Sequence, residues 1–171
     1  ITDALTQGMD SGEASDSDLE ASIARLNRWD NSKGDGESPA KLKKELQQCM
    51  QLNFGVFRKE APMQDGIKKL EELRERIGKA SLNDDSRAFN TARLEALELD
   101  NLLEIAEATA ISAAGRRESR GAHARDDFQT RDDENWLCHS IFDPKTKTLG
   151  KRDVNFDPKT VPTFEPMERT Y

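Results

Sequence analysis

Two cysteines and two histidines are the first side chains of this sequence to consider as metal ligands or nucleophiles. They are Cys49, Cys138, His123 and His139. No pair has the short spacing of a zinc centre, and the neighbours Cys138 and His139 point to opposite sides of a strand. Pairing Cys138 with His123 as a nucleophile stays open, but no oxyanion loop accompanies it, so a buried thiol is favoured. We therefore predict no metal site and no catalytic residue.

Acidic residues at 132–134 and two glycines are the other candidates for chemistry. The acidic run is explained more simply as a solvated turn, or as partners for Arg125 and Arg131, than as a pair of acid and base catalysts. Gly115 and Gly121 lack both the GxGxxG pattern and the preceding strand of a phosphate-binding loop. The sequence therefore predicts no cofactor-binding residue.

An arginine-rich segment at residues 116–125 remains. Arginine forks bind carboxylates, phosphates and backbone carbonyls with fixed geometry. We favour a clamp onto a neighbouring domain, with an anionic ligand as the second interpretation. The candidate clamp residues are Arg117, Arg120, His123 and Arg125. The simpler alternative is that these arginines cap the preceding helix and pair with Asp126, Asp127 and Asp132.

The composition favours elongated amphipathic helices over a sheet protein. Of the 171 residues, 35% are charged, 35% are hydrophobic and only 6% are aromatic. The formal net charge of −7 argues against nucleic-acid binding through a general basic surface. No apolar run approaches the roughly 20 residues of a membrane span. The two distant cysteines are typical of reduced thiols in a cytoplasmic protein.

Apolar residues at helical spacing predict three long helices. Ser38 and Pro39 begin the first, with Leu42, Leu46, Cys49 and Val56 on one face. The next helix carries Met63, Ile67, Leu70, Leu73 and Ile77. The longest carries Phe89, Ala92, Ala96, Leu99, Leu103, Ala106, Ala110 and Ala113. Short connections between them predict an antiparallel three-helix bundle, preceded by a helix that Asp16 or Ser17 caps and that ends near Trp29.

The apolar period ends after Gly115, and an irregular segment follows. Residues 136–142 and 151–156 are predicted to pair as a β-hairpin around a turn at 143–150. A tail with Pro158, Pro162 and Pro166 is expected to run extended over a surface. The predicted fold class is therefore mainly α: an antiparallel three-helix bundle, then an irregular C-terminal segment with a hairpin and an extended tail.

We divide the chain into three parts. Residues 1–14 are expected to be the end of a helix and a linker, with helical spacing at residues 1–5. Residues 15–115 form the helical bundle, and residues 116–171 hold the arginine-rich segment, the hairpin and the tail. The start without an initiator Met suggests a piece cut from a longer polypeptide.

Two sequence runs within residues 116–171 resemble a known protein family. Residues 117–125 read RESRGAHAR and residues 131–140 read RDDENWLCHS. They closely resemble the C-terminal part of the bacterial succinate dehydrogenase flavoprotein subunit, in the succinate dehydrogenase/fumarate reductase flavoprotein family. Further matches lie at residues 21–29, 50–54, 56–58, 97–102 and 169–171. The run at 117–125 is shared with fumarate reductase and more loosely with L-aspartate oxidase, whereas the run at 131–140 is more similar to succinate dehydrogenase.

The resemblance implies a parent enzyme that oxidises succinate to fumarate, with hydride passing to a covalently held FAD. Electrons would leave through an iron–sulfur subunit towards quinone, with the parent at the inner face of the cytoplasmic membrane through partner subunits. In the family, the residues that hold FAD and the dicarboxylate lie upstream of what this chain contains, so none is transferred to a position here.

The chain would be the family's C-terminal helical domain, whose partners are the flavin-binding domain of the same subunit and the iron–sulfur subunit. The resemblance implies that residues 1–14 are the remnant of a flavin-domain helix and a linker. We expect the fragment itself to bind no FAD and to be inactive. An independent helical module that binds other proteins is the alternative from a different functional class.

Overall fold

The computed structural model describes residues 6, 8, 12, 13, 15–164 and 167, and the elements named here belong to that part of the chain. The long helices are α1 (Asp16–Asp30), α2 (Pro39–Asn53), α3 (Glu60–Gly78) and α4 (Thr91–Gly115). The remaining elements are β1 (Phe57–Arg58), β2 (Ala124–Arg125), the helical turn α5 (Asp133–Trp136), β3 (Cys138–Asp143) and β4 (Thr148–Asp153). The predictions for residues 1–5, 166 and 169–171 lie outside the described residues.

Helices α2 and α3 run antiparallel and pack closely where α2 ends. Gly66 of α3 lies against Asn53 and Phe54 at the end of α2. At the other end, Arg76 donates to Glu37, just before α2, and to Glu45 in its first half. These two contacts fix the direction of the pair.

Helix α4 completes the bundle and runs antiparallel to α3. Arg28 of α1 donates both to the carbonyl of Ile77, at the end of α3, and to Asp100 in the first half of α4. Arg125 donates both to Glu60, at the start of α3, and to carbonyls in the last turn of α4. The predicted antiparallel three-helix bundle is therefore confirmed.

Apolar side chains at helical spacing form the core of this bundle. Those of α4 are Ala96, Leu99, Leu103, Ala106, Ala110 and Ala113, as predicted. Those of α2 and α3 are Leu42, Leu46, Cys49, Met63, Leu70, Leu73 and Ile77, also as predicted. Each fully buried Leu, Ile or Met side chain contributes about 1.5–3 kcal/mol relative to its exposed state, so these positions stabilise the domain most.

Two predicted core positions are wrong. Val56 is 70% exposed, because α2 ends at Asn53 and the chain leaves the helical path before β1. Phe89 is fully exposed and has a left-handed φ of 54°. Helix α4 begins just after it, where the side chain of Asn90 accepts from the backbone N–H of Arg93 at 2.7 Å.

Helix α1 begins one residue earlier than predicted and docks through its C-terminal end. Ser15 and Asp18 form a capping box, in place of a cap at Asp16 or Ser17. Trp29 is buried, and its Nε1 donates to Asp100 of α4 at 2.8 Å. The large hydrophobic side chains that α1 leaves exposed are Leu19, Ile23 and Leu26.

The predicted β-hairpin is present with shifted strands. Strands β3 and β4 pair antiparallel, from Cys138 opposite Asp153 to Asp143 opposite Thr148. The strand does not begin at residue 136, because Asp132 accepts from the backbone N–H of Asn135 at 3.0 Å and holds α5 in its place. The partner strand covers residues 148–153 rather than 151–156.

The hairpin lies against α4. The side chain of Leu149 reaches Gly115, and the ammonium of Lys147 pairs with Glu107, a buried carboxylate of α4 that Arg74 also binds. Beyond the hairpin, residues 154–164 contain no helix or strand, and the carbonyl of Met167 accepts from Arg131 at 2.8 Å. The division of the chain into three parts stays a prediction.

The close approach at Gly66 provides a test of the packing. In Gly66→Ala, the new Cβ would lie 2.5 Å from Phe54 Cε2 and 2.6 Å from Asn53 Cβ. We expect a loss of about 1–3 kcal/mol in the free energy of unfolding, measured by urea denaturation. The control is Gly78→Ala in the same helix, where nothing lies within 4 Å. If both variants unfold alike, the close packing of α2 on α3 is wrong.

Candidate functional site

The arginine-rich segment leaves the end of α4 and returns to the bundle as a strand. Strand β2 pairs in parallel with β1, with Phe57 opposite Ala124 and Arg58 opposite Arg125. The backbone N–H of Asp126 continues this pairing by donating to the carbonyl of Arg58 at 2.9 Å. Residues after α4 are thereby placed beside the connection between α2 and α3.

Glu118 is the centre of the first part of the segment. Its side chain is 0% exposed and accepts from Arg116 Nε at 2.9 Å and from Arg120 Nε at 2.8 Å. The backbone N–H of Asp132 donates to it as well, at 2.9 Å. Burial alone would raise the pKa of Glu118, but the hydrogen bonds from Arg120, Asp132 and Arg116 outweigh it, so the pKa lies below its ordinary value.

Arg120 is satisfied within the chain. Besides Glu118, it pairs with Asp133 at 2.6 Å, and Asp133 also pairs with Arg131 at 2.8 Å. The acidic run at residues 132–134 therefore contains a partner for Arg131, as the sequence indicated. Arg125 forms its ion pairs with acids outside this run.

Arg125 has a side chain that is 0% exposed and contacts three parts of the fold. Its Nη1 donates to carbonyls at the end of α4, those of Ala113, Ala114 and Arg116, at 3.3–3.4 Å. Its Nη2 donates to Glu60 at 2.7 Å, and its Nε and Nη2 bind both oxygens of Asp127. The hydrogen bond from Arg125 also holds the pKa of Asp127 well below its usual range. A buried guanidinium thus caps α4, the simpler of the two roles considered from the sequence.

His123 is held between two groups that fix its tautomer. Arg58 Nη1 lies 2.8 Å from His123 Nδ1, and the carbonyl of Arg116 lies 3.0 Å from Nε2. Because a guanidinium only donates and a carbonyl only accepts, Nδ1 accepts and Nε2–H donates, so the ring is neutral. Burial lowers the pKa of His123 below 6.5, and the charges of Arg58, Arg125 and Arg116 add to this.

Arg117 differs from the other three candidate clamp residues. Its side chain is exposed, and it has no hydrogen bond or ion pair to any described residue. Arg117 and Trp136 both line a surface pocket. Two cations lie close to the ring of Trp136: Lys151 Nζ is 3.9 Å and Arg116 Cζ is 5.5 Å from the ring centroid. The structure therefore brings Arg120, His123 and Arg125 into internal networks and leaves Arg117 facing outwards.

Arg58 belongs to this site, although the sequence marked it only as part of the family match at residues 56–58 and not as a site residue. Its Nε donates to the carbonyls of Phe54 and Gly55, at 3.3 and 3.1 Å, while its Nη1 reaches His123. The available signal was the Val-Phe-Arg run between two helical segments, which places an arginine in a short non-helical connection. Its position opposite Arg125 depends on the β1–β2 pairing, which local periodicity does not reveal.

The cysteines, histidines and acidic residues form no metal-binding group in the part of the chain that is described. Both thiols are free, and burial raises the pKa of Cys49. Among the described residues, no group of three His, Cys, Asp or Glu side chains is placed to hold a metal ion. None of the described helices is long and apolar enough to cross a membrane.

FAD does not fit the described residues. A flavin's pyrophosphate is held where a parallel strand leads through a glycine-rich loop into a helix. The parallel pair here, β1 and β2, has two residues in each strand, and β2 leads into the Asp126–Asp127 turn instead. No step of a flavin reaction is therefore assigned to this chain.

A helical bundle closed by an arginine–carboxylate segment is the class that this fold and site define, and comparison with known proteins specifies the family. The model of the family described as fumarate reductase flavoprotein C-term matches residues 43–171. The chain is 48% identical over 152 residues to the succinate dehydrogenase flavoprotein subunit of Coxiella burnetii, covering 89% of this chain and 26% of that protein. It is 36% identical over 160 residues to the subunit of that name from Rickettsia bellii, covering 90% and 26%.

A solved structure agrees with the sequence comparisons. The fold matches a quinol fumarate reductase of E. coli with a TM-score of 0.75 and 35% identity, covering 95% of this chain and 29% of that one. This chain therefore belongs to the succinate dehydrogenase/fumarate reductase flavoprotein family and corresponds to its C-terminal region. It spans about a quarter of the length of the curated relatives.

Arg125 and Arg117 provide a matched test of the internal network. Arg125→Met leaves the α4 carbonyls, Glu60 and Asp127 without their donor, so we expect a loss of about 3 kcal/mol in the free energy of unfolding. Arg117→Met should change it by less than about 0.5 kcal/mol, because the side chain has no described partner. Chemical denaturation of both variants measures this. Equal effects would show that Arg125 does not hold the fold together.

His123 predicts how stability depends on pH. Because its folded-state pKa lies below 6.5, the unfolded chain takes up the proton first, so stability falls as the pH drops through 6.5. The pKa of Glu118 lies below its ordinary value, so this carboxylate acts only at more acidic pH. Urea denaturation between about pH 7.5 and about pH 5.5 should show a smaller loss for His123→Gln than for the native chain. His139→Gln, at an exposed position, should behave like the native chain; if it removes the loss instead, the assignment is wrong.

Proposed function

We propose that this chain is the C-terminal helical domain of a succinate dehydrogenase flavoprotein subunit. In that protein, FAD is bound covalently by residues outside the chain, succinate is oxidised to fumarate, and electrons pass to an iron–sulfur subunit and quinone. The observation that carries the proposal is the 48% identity to a succinate dehydrogenase flavoprotein subunit over 89% of this chain. The parent enzyme would lie at the inner face of the cytoplasmic membrane, held there by partner subunits.

The domain itself acts as a scaffold and docking element, without a catalytic site. Its role is to present a shaped surface to the flavin-binding part of the same subunit and to help close the active site against water. The four clamp residues contribute to this role in two different ways. Arg120, His123 and Arg125 support the shape of the surface from within, which their internal hydrogen bonds favour. Arg117, which is exposed, reaches the partner directly.

Fumarate reductase is the second candidate, favoured by the match to a quinol fumarate reductase with a TM-score of 0.75. Both enzymes interconvert the same dicarboxylates, so the helical domain serves either direction. The two candidates differ in the direction in which the reaction runs. They are separated by comparing succinate oxidation with fumarate reduction in the assembled complex.

The test compares the full-length flavoprotein with the 171-residue chain. The full-length protein should show a flavin absorbance band and oxidise succinate with an artificial electron acceptor, whereas the chain alone should do neither. In the full-length protein, Arg117→Gln should weaken flavin retention in urea, and Arg152→Gln on the hairpin should leave it unchanged. A flavin band on the isolated chain would overturn the proposal.

A further inference from the structure

Arg58 is a partly buried cation whose charge no acid balances in the described structure. Its Nε and Nη1 bind two carbonyls and the neutral ring of His123. Burial and the nearby charge of Arg125 both lower its pKa, and no carboxylate opposes them. Its neighbour in the β1–β2 register, Arg125, is by contrast matched by Asp127 and Glu60.

The remaining nitrogen of Arg58 is available at the surface. Nη2 has no hydrogen-bond partner among the described residues. In that same part of the chain, every fully buried side-chain nitrogen or oxygen does have a partner, so Nη2 is reached by solvent. A partner could therefore bind this nitrogen without disturbing the contacts that hold the rest of the guanidinium.

Two apolar side chains precede Arg58 and are also unpartnered. Val56 is 70% exposed and Phe57 is 76% exposed, although both are large and hydrophobic. Phe57 borders a groove of roughly 890 Å³ that His123 and Ala124 also line. Aromatic residues and arginine are both enriched at the centres of protein interfaces, and this surface presents one of each side by side.

We propose that Val56, Phe57 and Arg58 form a docking point for an acidic side chain flanked by apolar residues on the flavin-binding part of the full-length protein. This rests on the proposed function and names the surface that performs it. The curated relatives are about four times as long as this chain, so most of the polypeptide available to cover this surface lies outside it. A carboxylate fits because a guanidinium held at Nε and Nη1 still offers N–H groups at Nη2, and charge-assisted bonds are the stronger ones.

Docking would remove the unbalanced charge and the exposed apolar surface that the domain shows on its own. A carboxylate at Nη2 would balance the charge of Arg58, while Val56 and Phe57 would leave water. Because Arg58 is already fixed by three hydrogen bonds, little side-chain entropy remains to be lost on binding. The exposed and unrestrained Arg117 lacks this advantage, so Arg58 should contribute more to affinity.

The experiment uses the full-length protein with a protease site inserted ahead of Ser15, cut after folding. Association of the two pieces is then measured by dilution and size-exclusion chromatography. We expect Arg58→Gln and Phe57→Ser each to weaken association by about tenfold or more. Arg152→Gln, which removes an exposed arginine of β4, should match the native protein. Phe57→Ser is the variant that separates docking from folding, because its side chain is mostly exposed in the domain.

The outcomes are distinguishable. If the native pieces stay together and both variants bind as tightly as Arg152→Gln, the docking point is wrong while the proposed function stands. If the native pieces have no affinity for each other, the scaffold function fails as well. If the released domain instead forms a dimer that Phe57→Ser abolishes, a second copy is the occupant and the proposal is overturned.

Discussion

The fold after α4 depends on the buried guanidinium of Arg125. It donates to backbone carbonyls at the end of α4, and it binds the carboxylates of Glu60, at the start of α3, and Asp127, two residues further along the chain. A buried cation is costly unless hydrogen bonds and opposite charge surround it, and here both do. One side chain therefore fixes the end of the longest helix, the start of α3 and the β1–β2 pairing relative to one another.

The ion pairs around Arg125 determine which neighbouring arginines are left without an acidic partner. Arg116 and Arg120 both pair with Glu118, and Arg131 shares Asp133 with Arg120. His123 stays neutral because Arg58 needs its lone pair, and a protonated ring would face a cation. After these pairings the site keeps one partly buried arginine and one exposed arginine without an acidic partner among the described residues, Arg58 and Arg117.

The helices were predictable from the sequence because their apolar spacing is long and regular. Leu99 and Leu103 of α4 and Leu70 of α3 are buried where a period of 3.6 places them. Val56 and Phe89 escaped prediction because each lies just outside a helix end, where the apolar period continues by chance. The arginine-rich segment was recognised by residue type, but which acid each arginine takes depends on the parallel pairing of residues far apart in sequence. Arg58 became visible only through that pairing.

The hydrogen bonds of Arg125 and Arg58 also explain how the short connection at β1 can present a defined surface. Strand β1 contains only two residues, yet its position is set by β2, by the carbonyls that Arg58 binds and by the cap on α4. A connection held from three sides loses little conformational freedom when a partner covers it. The relative from Coxiella burnetii is several times as long as this chain, and the docking point proposed above would place such a connection against the rest of a polypeptide of that length. The internal arginine network and the exposed Val-Phe-Arg run are thus two parts of one arrangement: the first makes the second rigid.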